Sequence, residues 1–226
     1  MEWTKNYKKA ITFSYDDGVE QDLQLLDILN KYNLKATFNV NTGLDSNSSS
    51  WKYKDLTVFR LDLDKHVQAY NGHEIAVHTL THPNLCNLSD AELSKELLGD
   101  KKNIESLFNT RVSGMAYPYG TYSDSIVDTL KANGFKYART VESNHSFDIQ
   151  MDLLRFKPTC HHDDSMLFDL AEKFLRNDLE LPQIFYVWGH SYEFEGNHNW
   201  NRFEDFCRMI SQRKDIFYGT NHEVLL

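Results

Sequence analysis

Seven short hydrophobic runs recur along the chain, and most of them precede a polar or amphipathic stretch. Runs of this length predict buried strands, and stretches with apolar residues three or four positions apart predict helices. The predicted strands cover residues 10–15, 34–41, 73–78, 112–117, 136–141, 154–159 and 183–188. The predicted helices cover residues 21–32, 89–108, 123–133, 165–177 and 200–212, and the polar residues 45–50 predict a loop. Ser89 and Glu92 form a capping box that predicts the start of the longest helix.

Strands that alternate with helices predict parallel strands joined by crossover helices. About seven such units are present, which is close to a β/α barrel, although 226 residues are slightly few for the roughly 250 of an eight-unit barrel. With 41% hydrophobic residues, the chain is long enough for one well-filled core and short for two full domains. We therefore predict a single α/β domain over residues 1–226.

Composition and charge disfavour several classes of function and of site. Lys and Arg number 24 against 33 Asp and Glu, and the net charge of −9 would repel a phosphate backbone, so no nucleic-acid partner is expected. The cysteines at positions 86, 160 and 207 are odd in number and far apart, which predicts reduced thiols rather than a disulfide framework or a zinc ribbon. No pattern in the sequence predicts an obligate protein partner.

Two further features bear on location. No apolar run reaches the length of about 18 residues that a membrane span needs. The first residues also lack the apolar stretch of a secretory signal peptide. As written, the sequence predicts a cytoplasmic protein, and if the chain begins after a removed leader, an extracellular or cell-envelope location is expected instead.

Polar residues follow four of the predicted strands at the point where each strand ends. They are Asp16 and Asp17, His78 and His82, the turn Pro118–Gly120, and His190. In a β/α barrel the C-terminal ends of the strands converge on one face, and that face holds the active site. The sequence therefore predicts one site that contains two carboxylates, three imidazoles and a Pro-Tyr-Gly turn.

Each piece of this site also has an ordinary structural interpretation. Asp16-Asp17-Gly18 is a favourable turn sequence. His78 and His82 could equally be two surface or hydrogen-bonded imidazoles that bind no metal. However, two adjacent carboxylates repel each other unless a cation lies between them or one is protonated. A divalent metal held by Asp17, His78 and His82 would remove that conflict, and this ligand set leaves an open coordination position, as catalytic sites do. Zinc is the expected ion, with cobalt, nickel and manganese as alternatives.

Taken in order, these motifs resemble those of the polysaccharide deacetylases with NodB homology, carbohydrate esterase family 4. SYDDG at 14–18 resembles the first motif, HTLTHPN at 78–84 the second and PYG at 118–120 the core of the third, and His190 lies where the last motif has its histidine. The resemblance covers residues 10–192. It implies an incomplete β/α barrel of roughly seven strands and metal-dependent hydrolysis of an N- or O-acetyl group on a sugar or polysaccharide.

The resemblance also implies a role for each matching residue. Asp16 would be the general base beside the three metal ligands named above. The backbone N–H of Tyr119 would help to stabilise the oxyanion, and His190 would be the general acid that protonates the leaving amine or alcohol. These roles suit the reaction, because an amide needs an activated water, a stabilised oxyanion and a protonated leaving nitrogen.

Departures from the family's motifs concern the tuning of the site. The family's third motif usually carries an Arg two residues before its Pro, where it pairs with the base, but this chain has Ala116 there. We therefore expect the pKa of Asp16 to be less depressed than that of the base in relatives. Arg139 would either replace that Arg in space or be an ordinary arginine at the edge of the core. Trp188 stands where the family usually has Leu, and it would form a wall of the acetyl pocket or fill the core. The family's Asp-Trp motif is not recognisable.

The remaining candidates are aromatic. His161 and His162 follow another predicted strand. We expect their side chains to face solvent, and the alternative is that one of them points into the site. Aromatic residues at positions 51, 53, 122, 192 and 200 are candidates for stacking on a sugar. Two other functions stay open, a metal-dependent amidohydrolase acting on a non-sugar amide or imide, and a non-catalytic carbohydrate-binding relative. The intact histidine pair favours the metal-dependent enzymes, and a pure binder would not need the whole set of candidate catalytic residues.

Overall fold

The computed structural model describes residues 1–44, 46, 48–177 and 180–226. The strands in these ranges are β1 (Lys9–Asp16), β2 (Ala36–Val40), β3 (Ser50–Tyr53), β4 (Leu56–Phe59), β5 (Glu74–Val77), β6 (Gly114–Ala116), β7 (Tyr137–Arg139), β8 (Cys160–His161), β9 (Gln183–Gly189) and β10 (Ile216–Tyr218). The helices are α1 (Asp22–Lys31), α2 (Leu63–His66), α3 (Asp90–Phe108), α4 (Asp124–Ala132), α5 (Leu167–Arg176), α6 (Ser191–Gly196), α7 (Trp200–Ile210) and α8 (Asn221–Leu225). Single 3₁₀ turns lie at Trp3–Lys5, Val67–Tyr70, Leu85–Asn87, Pro118–Gly120 and Leu153–Arg155.

Seven parallel strands form one curled, open sheet in the order β7-β6-β5-β2-β1-β9-β8, and the short β10 pairs with the first residues of β1. The sheet is an incomplete β/α barrel within a single domain, which confirms the predicted fold class. β3 and β4 form a separate antiparallel hairpin. Because all strands of the curled sheet are parallel, their C-terminal ends lie at the same edge.

The central strand β1 shows how the sequence divides the barrel into two faces. Ile11, Phe13 and Tyr15 belong to the large hydrophobic core that also contains the buried faces of the helices. Side chains alternate along a strand, so Ser14 and Asp16 point to the opposite face. Ser14 accepts hydrogen bonds there from Asn39 and Arg139, so a fully buried strand carries polar groups towards the barrel interior.

Most predicted elements are present with ends shifted by at most two residues, and the capping box at Ser89 is formed. The strand predicted at 154–159 is wrong, because this segment begins with a 3₁₀ turn and the strand follows at Cys160–His161. Pro158 interrupts the segment, since proline cannot donate to a sheet. The hairpin was not predicted, because its strands are short and half-exposed. Of the predicted loop at 45–50, residues 45 and 47 lie outside the described residues, and Ser50 begins β3.

Two expectations from composition can be compared with the structure. Cys86, Cys160 and Cys207 are free thiols, and the latter two are buried. Among the described residues, no helix combines the length and the hydrophobicity needed to cross a membrane.

Candidate active site

A pocket of about 530 Å³ lies at the C-terminal ends of the parallel strands. Its lining residues are Asp16, Asp17, Trp51, Arg60, His78, His82, Tyr117, Tyr119, Val141, Trp188, His190 and Tyr192. The structure therefore brings the polar residues of all four predicted strand ends into one pocket. A larger cleft of about 760 Å³, around the start of β5, contains none of them.

Four residues with unusual backbone conformations lie in the turns around this pocket. Asp17, Thr79, His82 and Tyr119 have positive φ angles of 86°, 69°, 57° and 57°. Such angles are uncommon for residues other than glycine and persist only where the surrounding structure holds them. The turn after β1 is held by the Asp17 N–H, which donates to the Asn39 carbonyl at 2.9 Å. If the strands continued, these side chains would point elsewhere, and the turns direct them into the pocket instead.

Asp17, His78 and His82 form the candidate metal site. Their ligand atoms all lie within 4.8 Å of one another, with Oδ1 of Asp17 3.8 Å from His82 Nε2 and 4.0 Å from His78 Nε2. Nδ1 of His78 lies 2.9 Å from the Ala116 carbonyl oxygen, which only accepts, so Nδ1 carries the proton and Nε2 presents a lone pair. Burial lowers the pKa of His78 to about 4 and also lowers the pKa of His82. Two neutral imidazoles and one carboxylate are a donor set that fits a divalent ion.

Groups behind these ligands fix their positions. The buried carboxylate of Asp100, on α3, accepts a hydrogen bond from the His78 backbone N–H at 3.1 Å. The Asn41 amide donates to the carbonyl oxygens of His78 and Thr79. Supporting partners of this kind orient ligands and are a usual part of metal sites.

Asp16 forms a fully buried ion pair with Arg139, which also donates to Ser14 Oγ and packs on the Trp188 ring at 4.5 Å from its centre. Burial alone would raise the pKa of Asp16, but Arg139 and the neighbouring histidines lower it to about 2. Ala116 therefore does not leave Asp16 without an arginine, and the reason for expecting a less depressed pKa is wrong. Ala116 and Arg139 are register partners on β6 and β7, so the two positions lie side by side on the same face of the sheet.

His190 follows β9, the strand paired with β1, and its Nε2 lies 4.0 Å from an oxygen of Asp16 and of Asp17. Its Nδ1 lies 3.3 Å from Glu193, which also accepts the His190 backbone N–H at 3.1 Å. Burial lowers the pKa of His190, but Glu193 and the two aspartates outweigh it and raise the pKa to about 9. The pKa values of Asp16 and His190 are thus pushed apart, as in an acid–base pair.

Glu193 was missed from the sequence, although a glutamate three residues after a helix N-cap is a capping-box signal. His161 also reaches it, with Nε2 3.0 Å from Oε2. His161, His190 and Glu193 are a second group close enough to hold a metal. However, Nδ1 of His161 accepts the Asp163 N–H, so Nε2 carries the proton and points it towards Glu193. The solvent-facing expectation is wrong for His162, which is fully buried with its ring stacked on Phe194.

The aromatic candidates separate into two groups. Trp51 and Tyr192 line the pocket, and their rings meet edge to face with centres 5.4 Å apart. The rings at positions 53, 122 and 200 do not line the pocket and pack behind it, on Tyr192, Tyr117 and Phe194 respectively. Tyr119 is 64% exposed at the mouth, with its ring edge to face on His82. The pocket lining therefore includes several aromatic rings, which suits stacking against a sugar ring.

Comparison with known proteins gives a consistent result. The family model for polysaccharide deacetylases matches residues 4–138. A peptidoglycan-N-acetylglucosamine deacetylase of Bacillus cereus is 28% identical over 133 residues, which cover 58% of this chain and 56% of the relative. A chitooligosaccharide deacetylase of Bradyrhizobium is 27% identical over 129 residues, which cover 56% of this chain and 53% of the relative. The chain spans about half the length of these curated relatives.

Solved structures resemble the chain as well. The Streptococcus pyogenes deacetylase PplD matches with a TM-score of 0.51 and 26% identity, over 58% of this chain and 55% of that protein. The family 4 carbohydrate esterase from Streptomyces lividans matches with a TM-score of 0.56 over 95% of this chain and 92% of its own. Its identity to this chain is 15%, so this second likeness concerns the fold alone.

Proposed function

Because this chain belongs to the polysaccharide deacetylase family, we propose that it hydrolyses the acetyl group of an N- or O-acetylated sugar or polysaccharide with the help of a divalent metal. The relatives named above, which act on peptidoglycan and on chitooligosaccharide, support an N-acetylated glycan as the substrate. The observation that carries the proposal is the arrangement at the strand ends. A low-pKa carboxylate and a high-pKa imidazole face each other beside a neutral two-histidine, one-carboxylate set.

Asp17, His78 and His82 would hold the metal, which when bound would act as a Lewis acid on the acetyl carbonyl and on the attacking water. Arg139 keeps Asp16 ionised at neutral pH, so this carboxylate is ready to take the proton of the water. The backbone N–H of Tyr119, at the mouth of the pocket, is the proposed donor to the oxyanion.

His190 completes the reaction from the end of β9, the strand next to β1. The carboxylate of Glu193, 3.3 Å from Nδ1, helps to keep the imidazole protonated, and Nε2, which faces the two aspartates, donates its proton to the leaving nitrogen or oxygen. The water adds to the acetyl carbon, the bond to the sugar nitrogen or oxygen breaks, and the products are acetate and the free amine or alcohol. The two proton transfers therefore have separate, oppositely tuned groups.

Acetate release from N-acetylglucosamine oligomers and acetylated xylan, with a chelator and with added Zn²⁺, tests this proposal. We expect metal-dependent release, and a loss of roughly 10²–10⁴-fold in the Asp16→Asn variant. Metal-dependent hydrolysis of a non-sugar amide, with no release from any sugar, would instead support the amidohydrolase alternative. Sugar binding without turnover would identify a non-catalytic relative.

A further inference from the structure

Arg60, which follows the β3–β4 hairpin, lies against the proposed metal site and has no part in the reaction described above. Backbone pairing fixes its position, because the Glu20 N–H donates to the Phe59 carbonyl at 3.1 Å and the Leu61 N–H to the Gly18 carbonyl at 2.9 Å. Trp51 covers the guanidinium, with the ring centre 4.7 Å away, and leaves the side chain only 8% exposed. The hairpin thus carries a buried positive charge directly to the turn after β1.

The guanidinium donates to the same Asp17 oxygen that faces the two histidines. Nη1 of Arg60 lies 3.1 Å from Oδ1 of Asp17, the oxygen that is 3.8 Å from His82 Nε2 and 4.0 Å from His78 Nε2. Nη1 also donates to Oδ1 of Asn41 at 2.7 Å and to the Asp17 backbone carbonyl. Within the described ranges, Asp17 is the only carboxylate that pairs with Arg60, and Nε of Arg60 has no hydrogen-bond partner.

We propose that Arg60 is a positioning residue that competes with the metal for Asp17, so that the ion is held weakly and exchanges readily. The inference rests on the proposed function, because it takes Asp17, His78 and His82 as the ligands. Two effects act in the same direction. A hydrogen bond from a cation withdraws electron density from the ligand oxygen, and a buried positive charge repels a divalent ion with little solvent screening. Activity would then follow the concentration of free metal.

Equilibrium dialysis of the whole protein against Zn²⁺, in competition with a chelator of known affinity, tests this inference. We expect Arg60→Met and Arg60→Gln, which remove the charge, to bind Zn²⁺ at least about tenfold more tightly, since a charge next to the ion acts at short range. Arg60→Lys keeps the charge and should stay close to the wild type. Arg208→Met is the matched control, because Arg208 lies on the outer helix α7, pairs with Asp205 there and is 61% exposed.

The visible spectrum of the Co²⁺ form gives a second readout that needs no activity. It should change in Arg60→Met, where the Asp17 oxygen is released from the guanidinium, and stay constant in Arg208→Met. If a folded Arg60→Met has the same affinity for Zn²⁺ as the wild type, or a lower one, the inference is overturned. Arg60 would then only hold the β3–β4 hairpin against the turn after β1. If Arg60→Met does not fold, equal affinities of Arg60→Gln and Arg60→Lys overturn it. A wild type that binds no Zn²⁺ would contradict the proposed metal site itself.

Discussion

Replacement of Arg139 by Met is expected to raise the pKa of Asp16 and to move the acid limb of the pH profile upward. Arg139 is 0% exposed and Asp16 3%, so the pair is almost unscreened. Burial acts to raise the pKa of Asp16, and Arg139 is the largest influence that lowers it to about 2. Because an Arg neighbour lowers a carboxyl pKa by about 1–3 pH units, Arg139→Met should raise the acid limb of kcat/KM by roughly 2 pH units.

The same variant should lose stability in a pH-dependent way. A carboxyl whose folded-state pKa is depressed contributes stability above its ordinary value of 3.8, and that contribution is lost as the pH falls through about 2. Removal of one partner of a buried ion pair costs about 3–5 kcal/mol, since the other charge stays buried and unpaired. Arg139→Met should therefore be most destabilised at neutral pH and less so at pH 4, where more of the carboxyl is protonated.

The assay is kcat/KM for an activated aryl acetate between pH 2 and 9, so that it spans the acid limb of the wild type as well as that of the variant, together with urea unfolding at pH 4 and pH 7. Arg139→Lys, which keeps a charge but loses the guanidinium fork, should show a smaller shift. Ala116→Arg in the Arg139→Met background returns an arginine from the paired strand and should move the acid limb back. An unchanged acid limb in a folded Arg139→Met would refute the assignment of Asp16 as the base that Arg139 holds ionised.

Three further predictions use other parts of the site. His190→Ala should reduce N-deacetylation by roughly 10²–10⁴-fold but aryl-acetate hydrolysis far less, because an aryl leaving group hardly needs the proton; equal losses would mean that His190 only binds substrate. Glu193→Gln should move the alkaline limb of kcat/KM to lower pH, since Glu193 helps to raise the pKa of His190 to about 9. An unmoved limb would mean that Glu193 does not control the pKa of His190. Asp22 is buried against Ser191 and Tyr70, and burial raises its pKa to about 7. A raised folded-state pKa stabilises the protein fully below the ordinary carboxyl pKa of 3.8, and this stabilisation is lost as the pH rises through 7. The free energy of unfolding in urea should therefore fall between pH 5 and pH 8 in the wild type but not in Asp22→Asn. An equal fall in both proteins would contradict the prediction.

The parts of the site that could be predicted are those that the local sequence encodes. A strand-like run followed by Asp16 and Asp17, or by His190, places these residues at one edge of a parallel sheet as soon as the fold class is known. The pairing of Asp16 with Arg139 was only one of two interpretations, because it depends on the neighbour of Ala116 in the folded sheet. Register between β6 and β7 is a property of the sheet and is not written in either segment.

Arg60 and Glu193 could not be assigned from the sequence for a related reason. Arg60 follows a half-exposed hairpin whose short strands give little periodicity, and its partner Asp17 lies 43 residues away. Glu193 gains its importance from three histidines that the fold brings to it, at positions 161, 162 and 190. The burial of His162 likewise comes from α6, which places Phe194 on its ring.

The most direct test of the assigned metal site is the metal content of the protein in equilibrium dialysis, with free Zn²⁺ held in excess on both sides of the membrane. We expect one ion per chain in the wild type, a loss of that ion in His82→Ala and its retention in His161→Ala. In a structure of the loaded protein, all three ligand atoms should lie about 2.0–2.2 Å from the ion. A wild type without metal under these conditions, or an ion kept in His82→Ala and lost in His161→Ala, would contradict the assignment of Asp17, His78 and His82.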